Sequence, residues 1–141
     1  MIFLMCCFMK RNDLHSQVFK SEIRHTAEDG NVKVEVVLRP KHAHLGEPIS
    51  LDIYVHTVQG IDINTSVINA IGDLVILERS FSGGGSSDGE SYSGRHFECK
   101  ATKSGWYRIP SFDISYTDIT KEPSLSSTHI TTKSFRYKVH R

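Results

Sequence analysis

Cysteine is scarce in this sequence. The chain has three cysteines in 141 residues, and an odd number cannot all pair within one molecule. Cys6 and Cys7 are adjacent near the N-terminus, while Cys99 alternates with Phe97 and Ala101. This alternation predicts that Cys99 faces a core as a small hydrophobic side chain. The cysteine content therefore excludes a domain held together by a framework of disulfides.

A charge excess of one sign is also missing. The 17 Lys and Arg residues nearly balance the 16 Asp and Glu residues, which leaves a formal net charge of +1. Proteins that bind the phosphate backbone of nucleic acids gather an excess of basic residues on one face. The composition therefore gives no reason to expect nucleic acid as a partner.

The longest apolar run is MIFLMCCFM at residues 1–9. This run is too short to span a bilayer, which takes about 20 residues. Lys10 and Arg11 follow it, whereas the basic residues of a secretory signal come first. We interpret the run as the remnant of an export signal, which predicts a periplasmic or cell-envelope location with peripheral membrane association. The alternatives are lipidation at Cys7 and an apolar tail that packs against its own domain. If the run is not the remnant of a signal, we expect a cytoplasmic location.

The sequence does contain clear β-strand patterns. Apolar and polar residues alternate over Val32–Arg39 and Ile49–Val58, which predicts strands with one buried face. Pro40 cannot donate to a backbone ladder and ends the first strand. Polar residues such as Asp52 are predicted to face outward. The predicted inward residues are Val32, Val34, Val36, Leu38, Ile49, Leu51, Ile53 and Val55.

The alternation changes parity at Pro110. Tyr107 and Ile109 are the inward residues before this proline, whereas Phe112, Ile114 and Tyr116 are the inward residues after it. Because a slip of one residue turns every following side chain to the other face, the pattern predicts a bulge or a strand break at Pro110.

About seven short strands and no long helix predict an all-β, immunoglobulin-like antiparallel β-sandwich. We assign residues 1–31 to an apolar tail and a polar lead-in, and residues 32–141 to the sandwich. The lead-in fits either an edge strand or one to two turns of helix. The remaining predicted strands lie at 66–71, Leu74–Phe81, Arg95–Thr102, Trp106–Ile109 and Phe135–Val139.

Three segments carry further predictions. Leu74–Phe81 is apolar on both parities at its start, which predicts a strand covered on both faces. The glycine- and serine-rich run at 82–94 predicts a flexible loop that ends in a solvated hairpin tip. Residues 117–132 are polar and predict a further loop.

Three runs of the sequence carry a family resemblance. They are LGEPISLDIYV at 45–55, KSGWYRIPSFDISYTD at 103–118 and FRYKV at 135–139. Together they resemble one immunoglobulin-like domain of the BatD (oxygen-tolerance) proteins. The resemblance implies a bacterial cell-envelope protein that acts as a binding or assembly module beside a von Willebrand-type partner. It brings no catalytic residues with it.

Candidate residues for metal or catalytic chemistry are few. In an extended segment His42 and His44 would project to one side, as two ligands of zinc or copper would. Apart from nearby Glu47, no carboxylate or cysteine stands at ligand spacing beside them, so we expect no metal and no cofactor. Cys99 and His96 are three residues apart and lie on opposite faces of a strand, which prevents a thiol–imidazole pair. We therefore expect a protein that is not an enzyme.

The expected function is binding to a protein partner. Trp106 and Tyr107 open a strand, so one of the two must face outward, where an aromatic ring can anchor a partner. Packing of the tryptophan in the core is the more common arrangement in sandwiches. Arg136 and Lys138 face outward on the last strand, which is a candidate edge for pairing with another chain. These four residues form the predicted interaction surface, and a homodimer through strand edges fits the same pattern.

The alternative function is that of a small carbohydrate-binding module. Such a module stacks sugars on two or three coplanar exposed aromatic rings. Tyr54, Tyr92 and one of the Trp106–Tyr107 pair are the candidates for those rings.

Overall fold

The computed structural model describes residues 21–58, 60–65, 67–85, 89–119 and 127–141. The apolar run at 1–9, with its predicted export signal, lies outside the described residues. Within those ranges the chain forms eleven strands and no helix. The strands are β1 (Ile23–Asp29), β2 (Val32–Arg39), β3 (Ala43–His44), β4 (Ile49–Val58), β5 (Ile61–Thr65), β6 (Val75–Gly85), β7 (Glu90–Lys100), β8 (Gly105–Ile109), β9 (Asp113–Asp118), β10 (Ser127–Thr131) and β11 (Phe135–His140).

The strands are arranged in three sheets. Sheet 1 has the order β1-β2-β4-β7-β6, sheet 2 the order β10-β9-β5, and sheet 3 the order β3-β11-β8. The short pair of β3 and β11 is parallel, and the other paired strands are antiparallel. Side chains of all three sheets enter one hydrophobic core, so sheet 1 packs against sheets 2 and 3. This confirms the predicted all-β antiparallel sandwich, with eleven strands rather than about seven.

β2 and β4 have the predicted boundaries and the predicted buried faces. Their eight inward residues are at most 3% exposed. Removal of these alternating apolar side chains from water stabilises the sandwich, at roughly 25 cal/mol for each Å² of apolar surface. Asp52 lies among the outward residues of β4 but is only 5% exposed. Cross-strand neighbours cover it, an effect that the periodicity of one strand does not predict.

The predicted break at Pro110 is confirmed. β8 ends at Ile109 and β9 begins at Asp113. The chain leaves sheet 3 at this point and enters sheet 2. Tyr107 and Ile109 are buried before the break and Phe112 is buried after it, so both predicted parities are correct.

The chain near the predicted strand boundaries differs from expectation in two places. Residues 23–29 form β1, so the lead-in contributes a strand upstream of the Val32 boundary, whereas the helical alternative, based on Leu14 and Val18, lies outside the described residues. The strand predicted at 66–71 is also wrong, since the strand lies at Ile61–Thr65 and Ile71 makes only an isolated bridge with Leu74. Irregularly spaced isoleucines carry no period-2 signal from which the strand could be placed.

Four further predictions are corrected by strand pairing. β6 is an edge strand with exposed Leu77 and Phe81, so it is not covered on both faces. Ser82–Gly85 and Glu90–Gly94 extend the β6–β7 ladder instead of forming a flexible loop, although residues 86–88 of that run lie outside the described ranges. Backbone ladders need no large side chains, which is why composition misses them. Ser127–Thr131 forms β10 within the predicted polar loop, and β11 is the central strand of sheet 3 rather than an edge.

Candidate functional site

The outward face of sheet 3 carries a group of cationic residues around one tryptophan. Tyr107 and Ile109 on β8, like Tyr137 on β11, point into the core. Because side chains alternate along a strand, their neighbours must point outward. Trp106 stands opposite Lys138 and Arg108 stands opposite Arg136 in the β8–β11 pairing. We call the four residues Trp106, Arg108, Arg136 and Lys138 the Trp106 surface.

The indole of Trp106 is open to solvent and in contact with two cations. Trp106 is 58% exposed. The guanidinium carbon of Arg136 lies 4.4 Å from the ring centroid and the Lys138 ammonium nitrogen lies 5.6 Å from it. Both distances are within the range of cation–π attraction. The structure thus brings together three of the four residues of the predicted interaction surface.

Tyr107, the fourth predicted residue, does not belong to this surface. It is only 8% exposed. Its hydroxyl donates a hydrogen bond of 2.6 Å to the carbonyl oxygen of Lys103 and accepts one of 3.2 Å from the Lys103 amide. The phenol can be buried because the turn before β8 satisfies its polar end. The strand alternation that turns Trp106 out turns its neighbour in.

The cations of the Trp106 surface have no carboxylate partner among the described residues. The ion pairs within the described ranges do not include Arg108, Arg136 or Lys138. Arg108 instead donates a 3.3 Å hydrogen bond to the Ser134 hydroxyl. Although the chain is nearly neutral as a whole, this face therefore presents positive charge that its own fold does not neutralise.

Three histidines lie beside this surface. His42 and His44 are both exposed on either side of buried Ala43, as predicted for an extended segment. The ring of His140 lies 6.0 Å from the ring of His42 and 5.6 Å from that of His44, centroid to centroid. No group of three or more His, Cys, Asp or Glu side chains in the described ranges is arranged to hold a metal ion.

The outward face of sheet 1 holds a different arrangement of charges. The nearly buried carboxylate of Asp52 accepts a 3.2 Å hydrogen bond from Arg39, and its other oxygen lies 2.5 Å from Nδ1 of His96. Nε2 of His96 lies 2.7 Å from a carboxylate oxygen of Glu98. We call the four residues Arg39, Asp52, His96 and Glu98 the Asp52 network. Sequence reasoning missed it, because Asp52 and His96 meet only through the β4–β7 register.

The protonation of His96 follows from its two carboxylate neighbours. Each ring nitrogen faces an acceptor, and only the imidazolium form donates from both nitrogens. Partial burial lowers the pKa of His96, but hydrogen bonds and charge from Asp52 and Glu98 outweigh this effect and raise it. Ser80 stands opposite His96 in the β6–β7 register. Since the ring is committed to two carboxylates, the Asp52 network is built as an ion-pair cluster and not as a base for Ser80.

The thiol of Cys99 is separated from this network by the sheet. Cys99 is 1% exposed and faces the core, as predicted. Burial and the negative charge of Glu98 raise the pKa of this thiol to about 11. A thiol in this environment stays protonated near neutral pH and is a poor nucleophile.

One depression on the surface lies away from both the Asp52 network and the Trp106 surface. Its volume is about 570 Å³, and it is open to solvent at the end of sheet 1. Lys33, His56 and Tyr92 are among the residues that line it. No member of the Asp52 network or the Trp106 surface contributes to its walls. This depression is therefore separate from both charged groups.

Comparisons with known proteins do not assign this geometry to a family. No protein-family model matches the chain, and no curated protein or solved structure is significantly similar to it. In the described part of the chain, no helix has the length and apolarity needed to cross a bilayer. Function is therefore inferred from the surfaces of the chain itself.

Proposed function

We propose that this chain is a non-catalytic binding module that holds an acidic segment of a protein partner on the Trp106 surface. The observation that carries the proposal is an exposed indole flanked by Arg136 and Lys138, without a carboxylate partner for either cation in the described ranges. The Asp52 network pairs its charges within the fold, whereas the cations beside Trp106 are available to an external anion.

The composition of the Trp106 surface is that of a protein-binding site. Tryptophan and arginine are the residues most enriched among those that dominate binding energy at protein interfaces. A group of positive charges also attracts a negatively charged partner over several ångströms and raises the association rate. Arg136 can form two parallel hydrogen bonds with a single carboxylate, which adds direction to the attraction.

A carbohydrate platform is less well supported. Trp106 is the exposed aromatic residue of sheet 3, whereas exposed Phe81 and Tyr92 belong to sheet 1. Rings on different sheets cannot form one plane for a sugar chain. The resemblance to BatD domains adds an envelope location and an assembly role to the proposal, with an envelope protein as the partner.

The single tryptophan of the chain is a direct probe of this proposal. A glutamate-rich peptide without tryptophan is titrated into the full chain, and the indole fluorescence is followed. We expect a saturable change that weakens as salt is added, because screening reduces attraction between exposed charges. The variant R136E is expected to weaken binding at least about tenfold, a change of roughly 1.4 kcal/mol.

The matched control is K100E, which reverses an exposed lysine on β7 of sheet 1. It changes the net charge as much as R136E does and is expected to leave the affinity within about twofold. Equal loss in K100E and R136E, or no response to the peptide, contradicts the proposal. Tighter binding of a single-stranded oligonucleotide or a neutral oligosaccharide than of the peptide contradicts the protein partner.

A further inference from the structure

The free edge of β6 is the longest unprotected strand edge in the described part of the molecule. β6 runs for eleven residues at the border of sheet 1. Of the other edge strands, β3, β5, β8 and β10 have five residues or fewer. β1, at the opposite border, carries Arg24 in ion pairs with Glu22 and Glu35. Charge and short length are the usual protections of a strand edge. β6 is long, and its charged residues are limited to Glu78 and Arg79.

The side chains on β6 add apolar surface to this free edge. Val75 is 39%, Leu77 60% and Phe81 76% exposed. A β-bulge between Ile76 and Glu78 interrupts the ladder with β7, and regular pairing follows from Glu78 onward. Glu78–Ser82 is therefore a regularly paired segment with backbone donors and acceptors on its open side.

We propose that β6 pairs with β6 of a second copy of this chain, antiparallel about a twofold axis at Ser80. A twofold axis perpendicular to the joined sheet sets side chains of the same face opposite one another, so the axis must pass through a residue. An axis at Glu78 or Arg79 would place two like charges face to face, which destabilises a strand pair. An axis at Phe81 would leave Glu78 and Arg79 opposite glycines.

The axis at Ser80 gives complementary pairs throughout the segment. It sets Arg79 of each copy against Phe81 of the other, a pair that cation–π attraction favours. It also sets each Glu78 against Ser82 of the other copy, a carboxylate against a hydroxyl. Phe81 already has the guanidinium of Arg95 at 5.5 Å from its ring centroid within its own chain. In the pair the ring would lie between two guanidinium groups.

The β6 pairing is independent of the Trp106 surface. It joins sheet 1 of both copies into one continuous sheet, while the Trp106 surface belongs to sheet 3. A dimer built in this way carries two Trp106 surfaces, so a partner with two acidic segments would be held with a higher effective affinity. Either surface can fail its test while the other stands.

The oligomeric state of the full chain tests the pairing. Its mass is followed by analytical ultracentrifugation over two decades of protein concentration, with a dimer expected to form in a concentration-dependent way. The variant F81K places a charge on the edge and is expected to weaken the dimer at least about tenfold. The control V67K changes an equally exposed residue outside the strands, 74% exposed, and is expected to leave the dimer intact. A monomer at every concentration, or equal effects of F81K and V67K, overturns the proposal.

The register has its own test by disulfide trapping in a background with Cys6 and Cys7 replaced by serine. S80C is expected to cross-link under oxidation, since directly opposed residues lie about 4.5–5.5 Å apart between Cα atoms. F81C is expected not to cross-link, because Phe81 stands opposite Arg79 of the second copy. Cross-linking through F81C but not S80C overturns the Ser80 axis.

Discussion

The outward faces of sheets 1 and 3 follow the same alternation rule but treat charge in opposite ways. On sheet 1, Asp52 is nearly buried between Arg39 and His96, and each of these groups has an oppositely charged neighbour. On sheet 3, Arg136 and Lys138 lie against an indole and have no carboxylate partner in the described ranges. The Asp52 network on the first face pairs its charges within the fold, whereas the cations of the Trp106 surface on the second face remain open to an external anion.

This difference separates stability from function. Arg108 and Arg136 stand directly opposite each other in the β8–β11 pair, an arrangement of like charges that costs stability. A fold under selection for stability alone would gain from removing one of them. The opposed cations therefore fit the proposed role of the Trp106 surface as a binding site. Disruption of the Asp52 network should instead lower the stability of the fold.

The largest expected effect is on the Asp52 network. Replacement of Asp52 with alanine leaves Arg39 and His96 without their shared counter-charge, and we expect a loss of about 2–4 kcal/mol in the free energy of unfolding. Urea denaturation of the purified chain measures it. The control is D113A, which removes a well-exposed carboxylate 2.9 Å from His129. An exposed pair of this kind contributes under about 1 kcal/mol, so equal losses in the two variants would place the Asp52 network among ordinary surface pairs.

The next effect concerns the support of β8, the strand that carries Trp106. Gly72 has a φ of +56°, and a Cβ added there would lie 2.2 Å from the Arg108 carbonyl oxygen. We expect G72A to cost about 2–3 kcal/mol in unfolding free energy, from a strained backbone and a clash. The control is G30A, at a φ of +57° with nothing within 4 Å of the added Cβ. G30A should lower the free energy of unfolding by only about 1 kcal/mol. If G72A lowers it by no more than this, the chain near Gly72 and β8 can move apart to make room for the added Cβ.

A smaller effect is the pH dependence contributed by His96. Its pKa in the fold is raised above the ordinary value of 6.5, so protonated His96 stabilises the fold fully below that value. The contribution is lost as the pH rises through the raised pKa. Because the side chain is 36% exposed, solvent screens the interaction and we expect a change under about 1 kcal/mol. Between pH 5 and about pH 9, the free energy of unfolding should fall with rising pH in the parent and change less in H96Q. The same dependence on pH in both proteins would contradict the role given to His96.

The smallest expected effect is on the stability of the Trp106 surface. R136Q removes one of two opposed cations without removing an ion pair, and we expect unfolding free energy to stay within about 0.5 kcal/mol of the parent. Thermal unfolding measures this, while the peptide titration should show weaker binding by the same variant. A stability loss comparable to that of D52A would mean that Arg136 belongs to the structure rather than to a binding site.

Strand patterns in the sequence predicted much of sheet 1 and little of the charge arrangement. The boundaries of β2 and β4 and the break at Pro110 follow from period-2 alternation and from proline chemistry, both of which act locally. The β6–β7 extension at 82–85 and 90–94 carries no apolar signal, because a backbone ladder can form between glycines and serines. Strand alternation is enough to place Arg108 among the outward residues. It does not predict that Arg136 lies opposite Arg108 in the β8–β11 pair.

The all-β sandwich and the alternation of side chains between core and solvent can be predicted from local patterns, because those properties depend on neighbours one or two residues apart. Which outward residues share a face depends instead on how the strands pair. Asp52 meets His96, and Trp106 meets Arg136, only because two strands distant in the chain pair in one particular register. Register is a collective result of packing both layers, and it turned a nearly neutral chain into one with a paired-charge face and a cationic face.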